Sequence, residues 1–122
     1  MTASKFIGII KRVVYDSSVR GCFSLLQKPP GRKPSPKLEE LSQYVNHLSD
    51  HEKEMIYSII ELASKQTIFG LLAVFDGVRQ VEDSETKGTF ELIFNKAGNS
   101  VLINDPNEEY LHDLFNQQVP PL

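Results

Sequence analysis

His47 and His51 stand four residues apart, the spacing at which two imidazoles on one helix face could begin a metal site. "SDHE" at 49–52 reads as a helix start, which puts the two rings on different elements, and no third ligand stands near them. Cys22 is the one thiol in the chain. A nucleophilic cysteine needs a positioned base. No histidine lies near it in sequence, and it falls among Val19, Phe23 and Leu26 on an apolar helical stripe, so a buried structural cysteine is expected. His112, between Leu111 and Asp113, is expected at the rim of a terminal helix. The chain has no G-x-S-x-G elbow, no phosphate-cradling glycine motif and no D-x-D-x-D-G calcium loop. The expectation is a protein that is not an enzyme and that carries no cofactor or metal.

Charge is distributed more tellingly than it is summed. Net charge is −3, but residues 1–37 carry +7 and residues 38–122 carry −10. Such a split marks an interaction surface, or two parts that neutralise each other on folding. The basic part ends in "QKPPGRKPSPK" at 27–37, with four prolines and four bases. Its prolines are never three apart, against a PxxP ligand, and no aromatic stands between Phe23 and Tyr44 for base stacking. The favoured reading of 28–36 is a semi-rigid connector. A phosphate contact by Lys28, Arg32 and Lys33 is the alternative, since phosphate contacts need only charge. The acidic part offers Asp76, Glu82, Asp83 and Glu85, with Arg79 among them as an anchor, as a surface for a basic partner.

These residues need elements to hold them. Apolar residues from Phe6 to Leu26 recur at helical spacing, predicting a helix or a broken pair over about 4–27 with its kink at "DSSVRG". Ser35 and Pro36 form a helix start, and Leu38, Leu41, Val45 and Leu48 a narrow stripe behind it. Ser49 and Glu52 form a capping box for a helix whose Met55, Ile56, Ile59, Ile60 and Ala63 share a face. Residues 67–75 are apolar all round, which predicts a helix at the domain centre or in a dimer seam, with a buried strand as the rival. Gly77 ends that helix.

"TFELIFN" alternates as a half-buried strand with Phe90, Leu92 and Phe94 inward, and "SVLIN" returns it as a hairpin. "RQVE" offers a third strand. "DPNE" at 105–108 reads as another helix start, with Tyr110, Leu111, Leu114 and Phe115 facing inward. The predicted fold is α+β: four or five helices with a small antiparallel hairpin or three-stranded meander near the C-terminus.

The 122 residues fit one domain, and 40% apolar with 24% charged residues is ordinary for a soluble globular chain. One cysteine allows no internal disulfide, which fits a reducing compartment. "MTASKFIGIIKRVV" lacks the continuous apolar centre of a signal peptide, and no apolar run approaches the ~20 residues of a membrane span. A cytoplasmic protein is expected. "KPPGRKP", "LSDHEKEMIYSIIELA", "FGLLAVFDGVR" and "LHDLFN" together resemble a family of small bacterial cytoplasmic proteins without an assigned activity. In size, acidity and lack of active-site motifs the chain is also similar to immunity proteins of bacterial toxin systems. That second likeness implies an inhibitor that occludes a basic toxin domain. Nucleic acid is the disfavoured partner, and no membrane partner is expected. The alternative expectation is a small regulatory or ligand-binding domain, homodimeric through 67–75.

Overall fold

Residues 3–27 form one continuous helical rod in three parts: α1 (Ala3–Ile9), a π-helical segment (Ile10–Asp16) and α2 (Ser17–Gln27). This computed structural model describes residues 1–83 and 85–122. Residues five apart stack in a π-helix, whose hydrogen bonds run from i to i+5. Lys11 Nζ accordingly meets Asp16 Oδ2 at 3.0 Å, and Ser17 Oγ donates to the Arg12 carbonyl at 3.2 Å. The irregularity expected at "DSSVRG" thus lies about one turn earlier, and Gly21 does not break the rod.

The connector follows, with Gly31 at φ +84°. Ser35 then caps α3 (Pro36–Asn46), its Oγ accepting from the Leu38 amide at 3.2 Å. Asn46 ties this helix back to the rod by donating to the Gln27 carbonyl at 2.9 Å. Ser49 and Glu52 close the expected capping box and open α4 (Asp50–Phe75). Residues 67–75 lie wholly within this helix, which removes the strand alternative. By length and composition α4 could cross a membrane, the one such helix among the described residues. It packs on α2, with the Phe23 and Tyr57 rings edge to face at 5.4 Å, and on α5 (Leu111–Gln118).

Gly77 ends α4 at φ +76°. Its amide bonds the Val74 carbonyl while the Val78 amide reaches the Ala73 carbonyl, the paired bonds of a Schellman turn. A two-stranded antiparallel hairpin follows, β1 (Ile93–Lys96) on β2 (Asn99–Leu102), with Ile93 opposite Leu102 and Lys96 opposite Asn99. The fold class is α+β, as expected, with the hairpin near the C-terminus and α5 closing the chain.

Several expectations need correction. "RQVE" is not a strand: the sheet holds β1 and β2 alone among the described residues. The hairpin is exposed on both faces, so Phe94 is not a core residue, and Phe90 is half exposed in a T-shaped contact with Phe75. The core contacts of this region come from residues flanking the strands, Leu92 and Ile103. Cys22 is exposed rather than buried, because the rod turns Phe23 and Leu26 inward instead. "DPNE" makes an Asx turn, with Asp105 Oδ1 accepting from the Asn107 amide at 2.9 Å, and the helix begins only at Leu111.

The core is small. Ile7, Leu111 and Phe115 are fully enclosed, and Tyr15, Val19, Leu72, Ile103, Leu114 and Val119 surround them where the rod, α4 and α5 meet. Burial, then the charges of Glu61 and Asp16, push the Tyr15 hydroxyl pKa up.

The α4 cap gives a pH dependence. Hydrogen bonds from the Ser49 backbone hold the Glu52 carboxyl below its ordinary value of 4.5. A carboxyl lowered in the folded state contributes stability above its unfolded pKa and loses it as pH falls through the folded one. Glu52→Gln should therefore flatten the loss of stability on acidification below about pH 4.5, read by denaturant melts across that range. Ser49→Ala should cost about 1 kcal/mol at neutral pH.

Candidate functional site

Helix α5 has no side-chain cap of its own, since Tyr110 occupies the cap position. Its first amides are bonded from across the fold. Asp76 Oδ1 accepts from the Leu111 amide at 3.1 Å, and Oδ2 accepts from the His112 amide at 2.9 Å. His112 Nδ1 lies 2.6 Å from the same Oδ2. An ionised carboxylate only accepts, so the ring carries its proton on Nδ1. Asp76 is the C-cap of α4, placed by the Schellman turn at Gly77. Its charge is misplaced for α4, whose C-terminal end is itself negative, and well placed for the positive N-terminal end of α5. The imidazole is sandwiched, with Tyr110 stacked on it at 5.3 Å and Phe69 edge-on at 5.3 Å. Asp113 Oδ1 stands 3.4 Å from Nε2.

This geometry removes Asp76 from the expected acidic docking surface. Its side chain is 2% exposed and fully engaged. His112 is not a rim residue either, with 12% of its side chain exposed. Neither role has a local signal: the partners lie 35 and 36 residues apart.

Arg79 also leaves the acidic group. It turns back over α4 at Gly70, where a Cβ would collide with Nη1 of the guanidinium. There it lines a groove of about 880 Å³ with Lys65, Gln66, Asn116, Phe69 and the terminal Leu122. Among the described residues neither Arg79 nor Lys65 has an ion-pair partner.

Glu82, Asp83 and Glu85 remain exposed, as expected. Two of them also shape their own loop. The Glu82 carboxylate accepts from the Gly88 amide at 2.7 Å, and Gln80 Nε2 donates to Asp83 Oδ1 at 3.2 Å. No ion pair neutralises any of the three among the described residues. Lys28, Arg32 and Lys33 are exposed on the connector. His47 and His51 stand on opposite sides of the α3–α4 turn, bonded to the Gln43 carbonyl and near Glu54. No group of three or more metal-ligating side chains occurs among the described residues.

Comparison with models of known protein families, with curated protein sequences and with solved structures finds no match to this chain. The two resemblances therefore rest on the quoted segments and on overall character alone.

Two predictions follow from this geometry. Asp76→Ala strands two helix amides and a buried ring, and should cost about 3 kcal/mol or more by chemical denaturation. Asp76→Asn, which keeps one acceptor oxygen, should lose clearly less. Gly70→Ala should displace the Arg79 guanidinium. In an Arg79→Ala background the same change should stabilise by about 1 kcal/mol, the ordinary helix preference of alanine, and by less in the native background.

Proposed function

We propose that the protein is an interaction module, an immunity protein that binds and blocks a basic toxin domain. The observation carrying this reading is its surface. The chain exposes 8685 Å² to solvent, where a compact monomer of its mass would expose roughly 6,600 Å². An excess of about 2,000 Å² is more than twice the ~800 Å² per partner of a standard interface. Val13, Val78, Val81 and Phe90 are all more than half exposed. An excess of that size leaves room for a partner, and these side chains would supply its apolar contact.

Glu82, Asp83 and Glu85 give that surface its sign. Three uncompensated acids on one loop would steer a cationic partner and occlude its basic cleft. Val78, Val81 and Phe90 flank this loop and would supply the apolar contact beside it. Asp76, buried against α5, takes no part in this surface, and Arg79 would act at the edge of the interface rather than within it.

A second reading, a small ligand-binding domain, draws on the groove over Gly70. Lys65 and Arg79, without an ion-pair partner among the described residues, stand there beside Phe69 and Leu122 and suit an anionic ligand with an apolar body.

The acidic surface is tested with the triple variant Glu82→Lys/Asp83→Lys/Glu85→Lys. Tagged native and variant chains are used as bait in an extract of the source cells, and the partner captured is then purified. A basic partner should associate with the variant at least tenfold more slowly at low salt, and its salt dependence should vanish. Equal capture and equal association rates would remove the acidic loop from the interface.

A further inference from the structure

The hairpin is exposed on both faces, and one of them carries a ring beside a charge. Successive residues of a strand alternate sides, so Phe94 and Lys96 share one face of β1. Their cross-strand partners, Val101 and Asn99, share that face from β2. On the rod, Lys5, Gly8, Ile9 and Arg12 stand at i, i+3, i+4 and i+7, one side of a helix. Together with Met1, Phe94 and Lys96 these four line a groove of about 410 Å³. A second groove of about 250 Å³ adjoins it at Met1, Phe94 and Lys96 and takes in Asn99 and Val101.

Three cations thus converge from positions 5, 12 and 96, and all three side chains are exposed. None has an ion-pair partner among the described residues, and no described aspartate or glutamate lines either groove. Asp105, Glu108 and Glu109 line a separate groove. A cleft lined by one sign of charge concentrates the opposite ion.

We propose that this groove binds single-stranded nucleic acid, with Lys5, Arg12 and Lys96 on the phosphates and Phe94 stacked on a base. The combination of cations with an aromatic ring selects that occupant. Phosphate contacts need only charge, and the ring adds a platform for the flat face of an unpaired base. Lys5 and Arg12 lie seven residues apart, about 10 Å along the rod, the length of about three nucleotides stacked at ~3.4 Å. Asn99 adds an amide that can hydrogen-bond a base edge. A lipid surface fits less well, because these side chains line a concavity between two elements, whereas an interfacial helix presents its apolar face outward. The bases of 28–37 argue against nucleic acid because no aromatic stands among them. Here the fold brings a ring to a different set of cations.

The inference does not rest on the toxin-binding reading, and its test uses the purified chain alone with the acidic loop left native. Anisotropy of a fluorescein-labelled twelve-nucleotide oligothymidylate should report binding at micromolar chain and low salt. Log affinity should fall against log salt with a slope of about −2, the sum of three phosphate contacts at ~0.7 each. Lys5→Gln, Arg12→Gln and Lys96→Gln should each reduce that slope by about 0.7. Phe94→Leu, which keeps an apolar side chain, should weaken binding about tenfold and leave the slope unchanged. Phe94→Trp introduces the chain's one tryptophan, whose fluorescence the strand should quench. The connector variant Lys28→Gln/Arg32→Gln/Lys33→Gln should bind as the native chain does. All of the replaced side chains are exposed, so circular dichroism should not change. No binding of the strand by the native chain would overturn the proposal. So would binding lost in the connector variant, or binding that Phe94→Leu leaves intact. Thymidine monophosphate held as tightly as the strand would overturn it and assign the groove to a free nucleotide. Binding to phosphatidylglycerol vesicles that Arg12→Gln weakens, with none to the strand, would overturn it and assign the groove to lipid.

Discussion

A single carboxylate positions the closing helix of this fold. Of the three fully enclosed side chains, Leu111 and Phe115 belong to α5, so the core exists only where α5 is docked. Asp76 does the docking by taking the Leu111 and His112 amides and the His112 ring. Removing one partner of a buried charged cluster costs about 3–5 kcal/mol, whereas replacing the whole cluster by apolar residues of similar volume is often neutral. The cluster's main effect is then to fix direction: an apolar residue at 76 could fill the space but could not set where α5 begins. The Schellman turn at Gly77 matters for the same reason, since it stops α4 with Asp76 facing the amides it must meet.

Asn104 does for the hairpin what Asp76 does for α5. A two-stranded hairpin is marginal in water, and here both faces are exposed. Its base is held instead. Asn104 donates to the Phe75 and Phe90 carbonyls and accepts from the Leu92 amide, all at 2.8 Å. The Ile103 amide adds a bond to the Leu92 carbonyl, also at 2.8 Å. The end of α4, the entry to β1 and the exit from β2 are thus joined at one side chain. Asp76 and Asn104 both work at the C-terminal end of α4, which makes that end the organising point of the C-terminal half.

What could be read from the residues divides by distance along the chain. The caps at Ser35 and Ser49 and the stop at Gly77 were legible because donor and acceptor lie within five residues of each other. The docking of α5 was not, because Asp76 and His112 meet across 36 residues and each looks unremarkable in its own neighbourhood. "DPNE" misleads for a related reason. Its Asp105 satisfies an Asx turn as readily as a helix cap, and only the distant carboxylate decides where the helix starts. Periodicity likewise finds the apolar stripes but not what covers them. It placed Cys22 and Phe94 inside, though the rod and the hairpin each leave a side bare.

The two halves of α4 illustrate what the core does not use. Toward its C-terminus the helix carries small residues at Gly70 and Ala73, both buried, and Arg79 lies across the first of them. Toward its N-terminus it leaves Met55, Ile59 and Leu62 about half exposed. A helix stabilised only by local propensity has no need of Met55, Ile59 and Leu62 on its solvent side, where charged residues serve as well. The acidic loop begins beyond Asp76, seventeen residues from Ile59 and so about 25 Å along the helix axis. The chain folds back after Gly77, however, and Arg79 shares one groove with Leu62 and Gln66.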